Sequence, residues 1–345
     1  MKKLFTILAV AATLVSCAKE DVVRENMGEA IGFDNAFVEN STRSVETPGY
    51  STASMFNDFA VYGFVEGATL FDGTRVAKKG DTGITNSTGQ EKTDWKYNGT
   101  QYWIAGANYD FYAVAPFTGG WSVKTGTKPT DAGATLSFTT ADGTQDLLYA
   151  SIVERQGEGS GNDAVAFTFK HILSKVKFSF KNGYNASAAT IRVKNVQITN
   201  AYTSGDVTLA ADNAETDDVD ESATWSNQAT TAAFSFGNAA AASADAEEAY
   251  EYGKTQESYY ERLLIPANAA WNITFDVDLL VSGKRIDTYT HTAKATIDLK
   301  HGMSYDINAE ITAANIDPDH AQEPIEFTAT MTDWSTANEV DDILK

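Results

Sequence analysis

Residues 325–334, IEFTATMTDW, set Ile325, Phe327, Ala329 and Met331 on one side of an extended segment and Glu326, Thr328, Thr330 and Thr332 on the other. That period of two marks a half-buried strand, which needs a neighbouring strand for its backbone groups. A strand-like pattern recurs in short runs separated by Gly, Asn and Asp: FAVYGFV (59–65), TQYWIAG (100–106), NYDFYAVAPF (108–117), ATLSFTT (134–140) and QDLLYASI (145–152). It continues through AVAFTFKHILSKVKFSF (164–180), TIRVKNVQIT (190–199), YYERLLIPA (259–267), WNITFDVDLLV (271–281), RIDTYTHTAKATIDL (285–299) and MSYDINAEIT (303–312), with VSGKR (281–285) as a hairpin turn. No long amphipathic helix pattern appears after the N-terminal segment, so the spacing predicts an all-β chain built as sandwiches.

At 345 residues with 43% hydrophobic content, the chain is long enough for two packed domains. The polar, glycine-rich ERQGEGSGND (154–163) is the natural boundary, giving domains over 44–160 and 161–345. The stretch from Ala210 to Glu257 is rich in Ala, Asp, Glu and Thr and reads as an acidic surface insertion in the second domain, outside the sheets. A formal net charge of −21 makes nucleic acid and anionic lipid poor partners.

The N-terminus, MKKLFTILAVAATLVSC, places Lys2 and Lys3 before an apolar run and small residues before Cys17, the layout of a secretory signal over residues 1–16. Cys17 is the single cysteine, so it forms no internal disulfide. Leu14-Val15-Ser16-Cys17 resembles a bacterial lipobox, which implies acylation of Cys17 and an anchored, surface-exposed outer-membrane lipoprotein. The following Ala18-Lys19-Glu20-Asp21 is similar to a surface-export signal of such lipoproteins. Removal of residues 1–16 takes the formal charge to about −23, since Lys2 and Lys3 leave with them. The leader, 17–43, carries IGFDNAFV (31–38), where Ile31, Phe33 and Phe37 share a face. It runs into ENSTRSVETPGYS, a Ser/Thr/Gly/Pro-rich stretch of the kind that proteases cut, with Arg43 and Ser44 near its middle.

Catalytic chemistry finds no foothold. His171, His291, His301 and His320 lack metal-ligand spacing, and no nucleophile elbow, zincin motif or phosphate loop is present, so no catalytic residue, metal or cofactor is assigned. His171 reads as a structural histidine where two strand-like runs meet. The acidic stretches lack the features of an EF-hand loop. The aromatics Trp95, Tyr97, Tyr102, Trp103, Tyr109, Phe111, Tyr112, Phe117 and Trp121 read as core. If exposed, they would offer stacking faces to glycans, and the alternative is a monomeric glycan-binding lipoprotein.

Taken in order, the lipobox, IGFDNAFV, the Arg43 stretch, FAVYGF, NYDFYAVAPF, DLLYAS, FKHILSKVKFSF, RLLIPA, GMSYDINAEIT and FTATMTDW resemble the fimbrillin family of type V pilins and their relatives. The resemblance covers nearly the whole chain, though the acidic insertion is outside that pattern. It implies two tandem transthyretin-like β-sandwich domains and a cell-surface fimbrial subunit involved in adhesion. It further implies that an arginine-specific protease cuts between Arg43 and Ser44 and that IGFDNAFV is lost. The C-terminal segment 325–345 of another subunit, through Ile325, Phe327, Ala329, Met331 and Trp334, then fills the vacated groove. Each segment presents three large apolar side chains, whose burial contributes roughly 5–9 kcal/mol before ordering costs. The terminal strand thus has two candidate partners, a neighbouring subunit or its own C-terminal domain.

Overall fold

The computed structural model describes residues 28–38, 56–124, 135–158, 161–185, 187–209, 223–237, 253–258 and 260–334, all as strands, turns and loops. Cys17, Arg43, Ser44, residues 335–345 and the side chain of Phe37 lie outside the described residues. So do 210–222 and 238–252 of the acidic stretch.

The first half of the chain supplies β1 (Phe33–Val38), β2 (Asp58–Val65), β3 (Ala68–Lys78), β4 (Trp95–Tyr97), β5 (Asn108–Ala115), β6 (Trp121–Val123), β7 (Thr135–Thr139), β8 (Leu148–Gln156) and β9 (Val165–His171). Seven of these close a barrel in the order β1-β4-β3-β2-β5-β8-β9. A sandwich is expected from the sequence; a barrel forms because β1 pairs antiparallel with β4 on one side and parallel with β9 on the other. Closure leaves no free edge in the ring.

The second half supplies β10 (Ser174–Asn182), β11 (Thr190–Leu209), β12 (Ala223–Ser235), β13 (Thr255–Glu257), β14 (Arg262–Leu264), β15 (Asn268–Val281), β16 (Lys284–Asp298), β17 (Met303–Ile311) and β18 (Phe327–Asp333). One sheet runs β13-β10-β17-β18, with β14 also on β10, and the other runs β16-β15-β11-β7-β6, with β12 also on β11. Their shared core holds Phe178, Phe180, Ile191, Val193, Trp271, Phe275 and Ile307. The VSGKR hairpin is as expected. Ser282 and Gly283, at φ 51° and 74°, form a two-residue loop between β15 and β16, the left-handed pair that matches strand twist.

A third core joins the two units. Along β2, Phe59 and Val61 point into the barrel while Ala60, Tyr62 and Phe64 point outward into a cluster with Leu136, Phe138, Val207, Leu263 and Ile265. Such strands are buried on both faces, which explains why FAVYGFV and FYAVA are almost continuously apolar.

Three expectations are corrected. The 154–163 stretch connects β8 to β9 within the barrel, and β6 and β7 belong to a sheet of the second unit, so no boundary falls at residue 160. The reason is pairing: β7 lies antiparallel on β11 through Thr139↔Ser204 to Thr135↔Thr208. TQYWIAG is a loop with a single bridge at Tyr102, its Trp103 turned into the barrel. Residues 223–235 of the expected insertion form the thirteen-residue β12, registered on β11, because its backbone satisfies that strand despite a mostly exposed polar surface.

Candidate functional site

The two segments singled out by sequence sit at opposite kinds of place in the fold. β1 is enclosed. Ile31 and Phe33 are fully buried, and the Phe33 ring is stacked on Phe167 at 5.9 Å and meets Phe59, Phe71, Tyr97 and Phe111 edge-on at 5.6–6.3 Å. Ile31 N–H donates to the Gln101 carbonyl at 2.7 Å, and Val165 N–H donates to the Gly32 carbonyl at 2.8 Å. The Tyr97 hydroxyl donates to the Ile31 carbonyl at 2.9 Å and accepts from Gln101 N–H at 3.0 Å. Burial pushes the Tyr97 phenol up to about 12, so it remains a donor at any physiological pH. Phe37 pairs with Thr168 after a register shift in β1.

β18 is an edge. It lies antiparallel on β17 from Ala309↔Phe327 to Met303↔Asp333 and has no strand on its other side among the described residues. The half-buried face is realised only in part. Ile325 and Phe327 pack on the core, Phe327 edge-on to Phe178, Phe180 and Phe275 at 6.0–6.3 Å. Ala329 and Met331 on the same face are exposed, Met331 by 53%. Trp334 is 1% exposed in the core between the units, stacked on His171 at 3.6 Å, with the Lys175 ammonium 5.3 Å from its ring centre. The terminal strand therefore pairs within its own chain here.

Most of the aromatic cluster, read as core with sugar stacking as the alternative, is core. Trp95 and Trp103 are 5% and 2% exposed, and Tyr97, Tyr109 and Phe111 line the barrel interior beside them. Tyr112 faces the core between the units; Tyr102, Phe117 and Trp121 are partly exposed, and the Trp121 indole donates to the Pro116 carbonyl. Stacking on a glycan needs a free ring face, which Trp95 and Trp103 do not present. A cleft of about 330 Å³ that sequence reasoning missed lies elsewhere, lined by Trp225, Gln228, Asn268, Asp298, Lys300 and His301. Trp225 belongs to β12, which lies in the stretch read from sequence as a surface insertion outside the sheets.

The histidines are dispersed. His171 Nδ1 lies 2.7 Å from Asp146 Oδ2 with the Trp334 ring over its face. His291 stacks on Phe275, and burial lowers its pKa. His320 is held by Asp317 at 2.9 Å, which raises its pKa. Among the described residues no three His, Cys, Asp or Glu side chains are placed to hold a metal.

A family model described as fimbrillin-like matches residues 42–334. No curated protein matches the chain. Among solved structures, a fimbrial protein from Bacteroides vulgatus is similar with a TM-score of 0.52 at 14% identity, over 88% of this chain and 99% of its own. A candidate cell adhesion protein from Bacteroides uniformis is 16% identical with a TM-score of 0.47, over 89% of this chain and 98% of its own. Another from Parabacteroides distasonis is 12% identical with a TM-score of 0.45, over 90% and 97%. At such identities the first likeness bears on fold alone, and it agrees with the all-β architecture. The family match runs from just after β1 to Trp334, and on it this chain belongs to the fimbrillin-like family.

Proposed function

We propose that this protein is a structural subunit of a cell-surface fimbria that contributes to adhesion and joins other subunits by strand exchange. Acylated Cys17 anchors the precursor at the outer membrane. An arginine-specific protease cuts between Arg43 and Ser44, β1 leaves, and the C-terminal strand of another subunit takes its place. The tandem transthyretin-like description of the two units belongs to the same reading.

The observation that carries it is the placement of β1. It precedes the proposed cut, so cleavage would sever it from all the strands that follow. It also fills the barrel core with Phe33, so its departure would open a groove floored by five aromatic rings. Head-to-tail filling of such grooves does not close on itself and builds a filament.

The test is digestion of the chain lacking residues 1–17 with an arginine-specific protease, cut sites being assigned by mass. Arg75 lies within β3 and is held by Asp58 and Asp81 at 2.7 and 2.9 Å, so it is a poor competing site. The expected result is a cut after Arg43 followed by uptake of a labelled peptide of residues 28–38 in exchange for the resident strand. A nicked protein that never exchanges this strand refutes the proposal.

A further inference from the structure

The groove left by β1 is not equally open to every strand. Gly32 lies between the core-facing Ile31 and Phe33 and is itself buried. A Cβ placed on Gly32 would fall 2.6 Å from Cγ2 of Thr93, closer than real side chains approach. Thr93 cannot yield cheaply. It is 8% exposed, and its hydroxyl is directed at the carbonyls of Gln90 and Trp95, both at 3.1 Å. Turning the β-branched side chain to withdraw the methyl would take the hydroxyl away from both acceptors in a buried place.

A strand that replaces β1 with its apolar face inward therefore needs glycine at the outward position opposite Thr93. The protein's own segment 325–345 contains no glycine. Laying Ile325-Glu326-Phe327 onto Ile31-Gly32-Phe33 drives Glu326 into the Thr93 methyl. Sliding that strand by two residues, or reversing it, substitutes Thr328, Thr330 or Thr332.

Building on the strand-exchange reading, we infer that this groove accepts a strand from a different subunit, one with glycine between two core-facing apolar residues. Thr93 is the specificity-determining side chain that keeps the protein's own C-terminal strand out. As an acceptor, the subunit joins heterotypic neighbours rather than copies of itself.

The experiment uses the chain lacking residues 1–17, nicked after Arg43, and three labelled peptides read by fluorescence anisotropy: residues 28–38, the same peptide with Gly32→Ala, and residues 325–334. The native 28–38 peptide is captured. The other two bind at least about tenfold more weakly. Thr93→Ser, which keeps the hydroxyl and removes the methyl, restores capture of the Gly32→Ala peptide. Failure to capture the native peptide defeats strand exchange itself and this inference with it. Capture of all three with similar affinity leaves strand exchange standing and overturns the glycine requirement, and failure of Thr93→Ser to rescue overturns the role of Thr93. In the uncut chain, Gly32→Ala lowers the thermal midpoint and added Thr93→Ser recovers it; no drop, or no recovery, also counts against the inference.

Discussion

Replacing Trp334 by Ala tests how firmly the C-terminal strand is held on its own chain. The indole is 1% exposed, lies 3.6 Å from the His171 ring at an interplanar angle of 9°, and sits in the core that also holds Leu147, Ile172 and Leu173. Truncating a buried tryptophan costs about 3–5 kcal/mol. Residues Thr328 to Asp333 are exposed, so Trp334 and Phe327 are the two clamps of β18. The loss therefore falls on local opening, and amide exchange across β18 accelerates by about two to four decades, measured by mass spectrometry on the intact chain. Trp334→Phe keeps a stacked ring, and because the indole Nε1 has no acceptor among the described residues, that change strands no polar partner and costs about 1 kcal/mol. If Trp334→Ala costs under about 1 kcal/mol and leaves β18 exchange unchanged, the clamp reasoning is wrong.

Substitutions at three further positions probe the frame around these strands. His291 is buried against Phe275 and its pKa is lowered, so its contribution is present above its ordinary 6.5 and is lost as pH falls below that value, because the unfolded chain takes the proton first. His291→Phe flattens the thermal midpoint between about pH 7 and 5; a slope like that of the parent refutes the assignment. Burial pushes the Asp278 carboxyl up, but bonds from Lys194, Thr288 and Arg192 outweigh it and hold the group below its usual range. Asp278→Asn leaves those cations without their fully buried partner and lowers stability by about 3–5 kcal/mol in urea titration; a loss under about 1 kcal/mol shows the cluster to be solvated. Gly283→Ala in the β15–β16 turn costs about 1–2 kcal/mol in the same titration, whereas Gly283→Asn, which tolerates the left-handed region, costs less.

Strands buried on one or both faces could be read directly from sequence, since β5 and β17 fall inside the apolar or alternating runs and β2, β15 and β16 overlap them over most of their length. The hairpin at Ser282-Gly283 was equally legible because turn chemistry is local. β3, ATLFDGTRVAK, escaped notice because Asp72 and Gly73 interrupt its alternation, and β12 escaped because a strand laid on a sheet with an exposed surface needs little apolar content. The seats of Phe33 and Trp334 were not legible at all. Phe33 meets Phe167, and Trp334 meets His171, across sequence separations that no periodicity encodes. Thr93 opposite Gly32 is of the same kind, a contact between a leader strand and a loop.

The excursion of β6 and β7 out of the barrel has a consequence for the order of synthesis. The ring cannot close until β9 has been made, yet β7, with Leu136 and Phe138, has no sheet to join until β11 emerges later still. Pairings this distant along the chain are slow, and unpaired strands invite association with other chains. A truncated product ending before Thr190 would carry a completed ring with a dangling apolar hairpin and is expected to aggregate. The two halves are therefore not interchangeable modules: neither can be swapped into a relative without its counterpart.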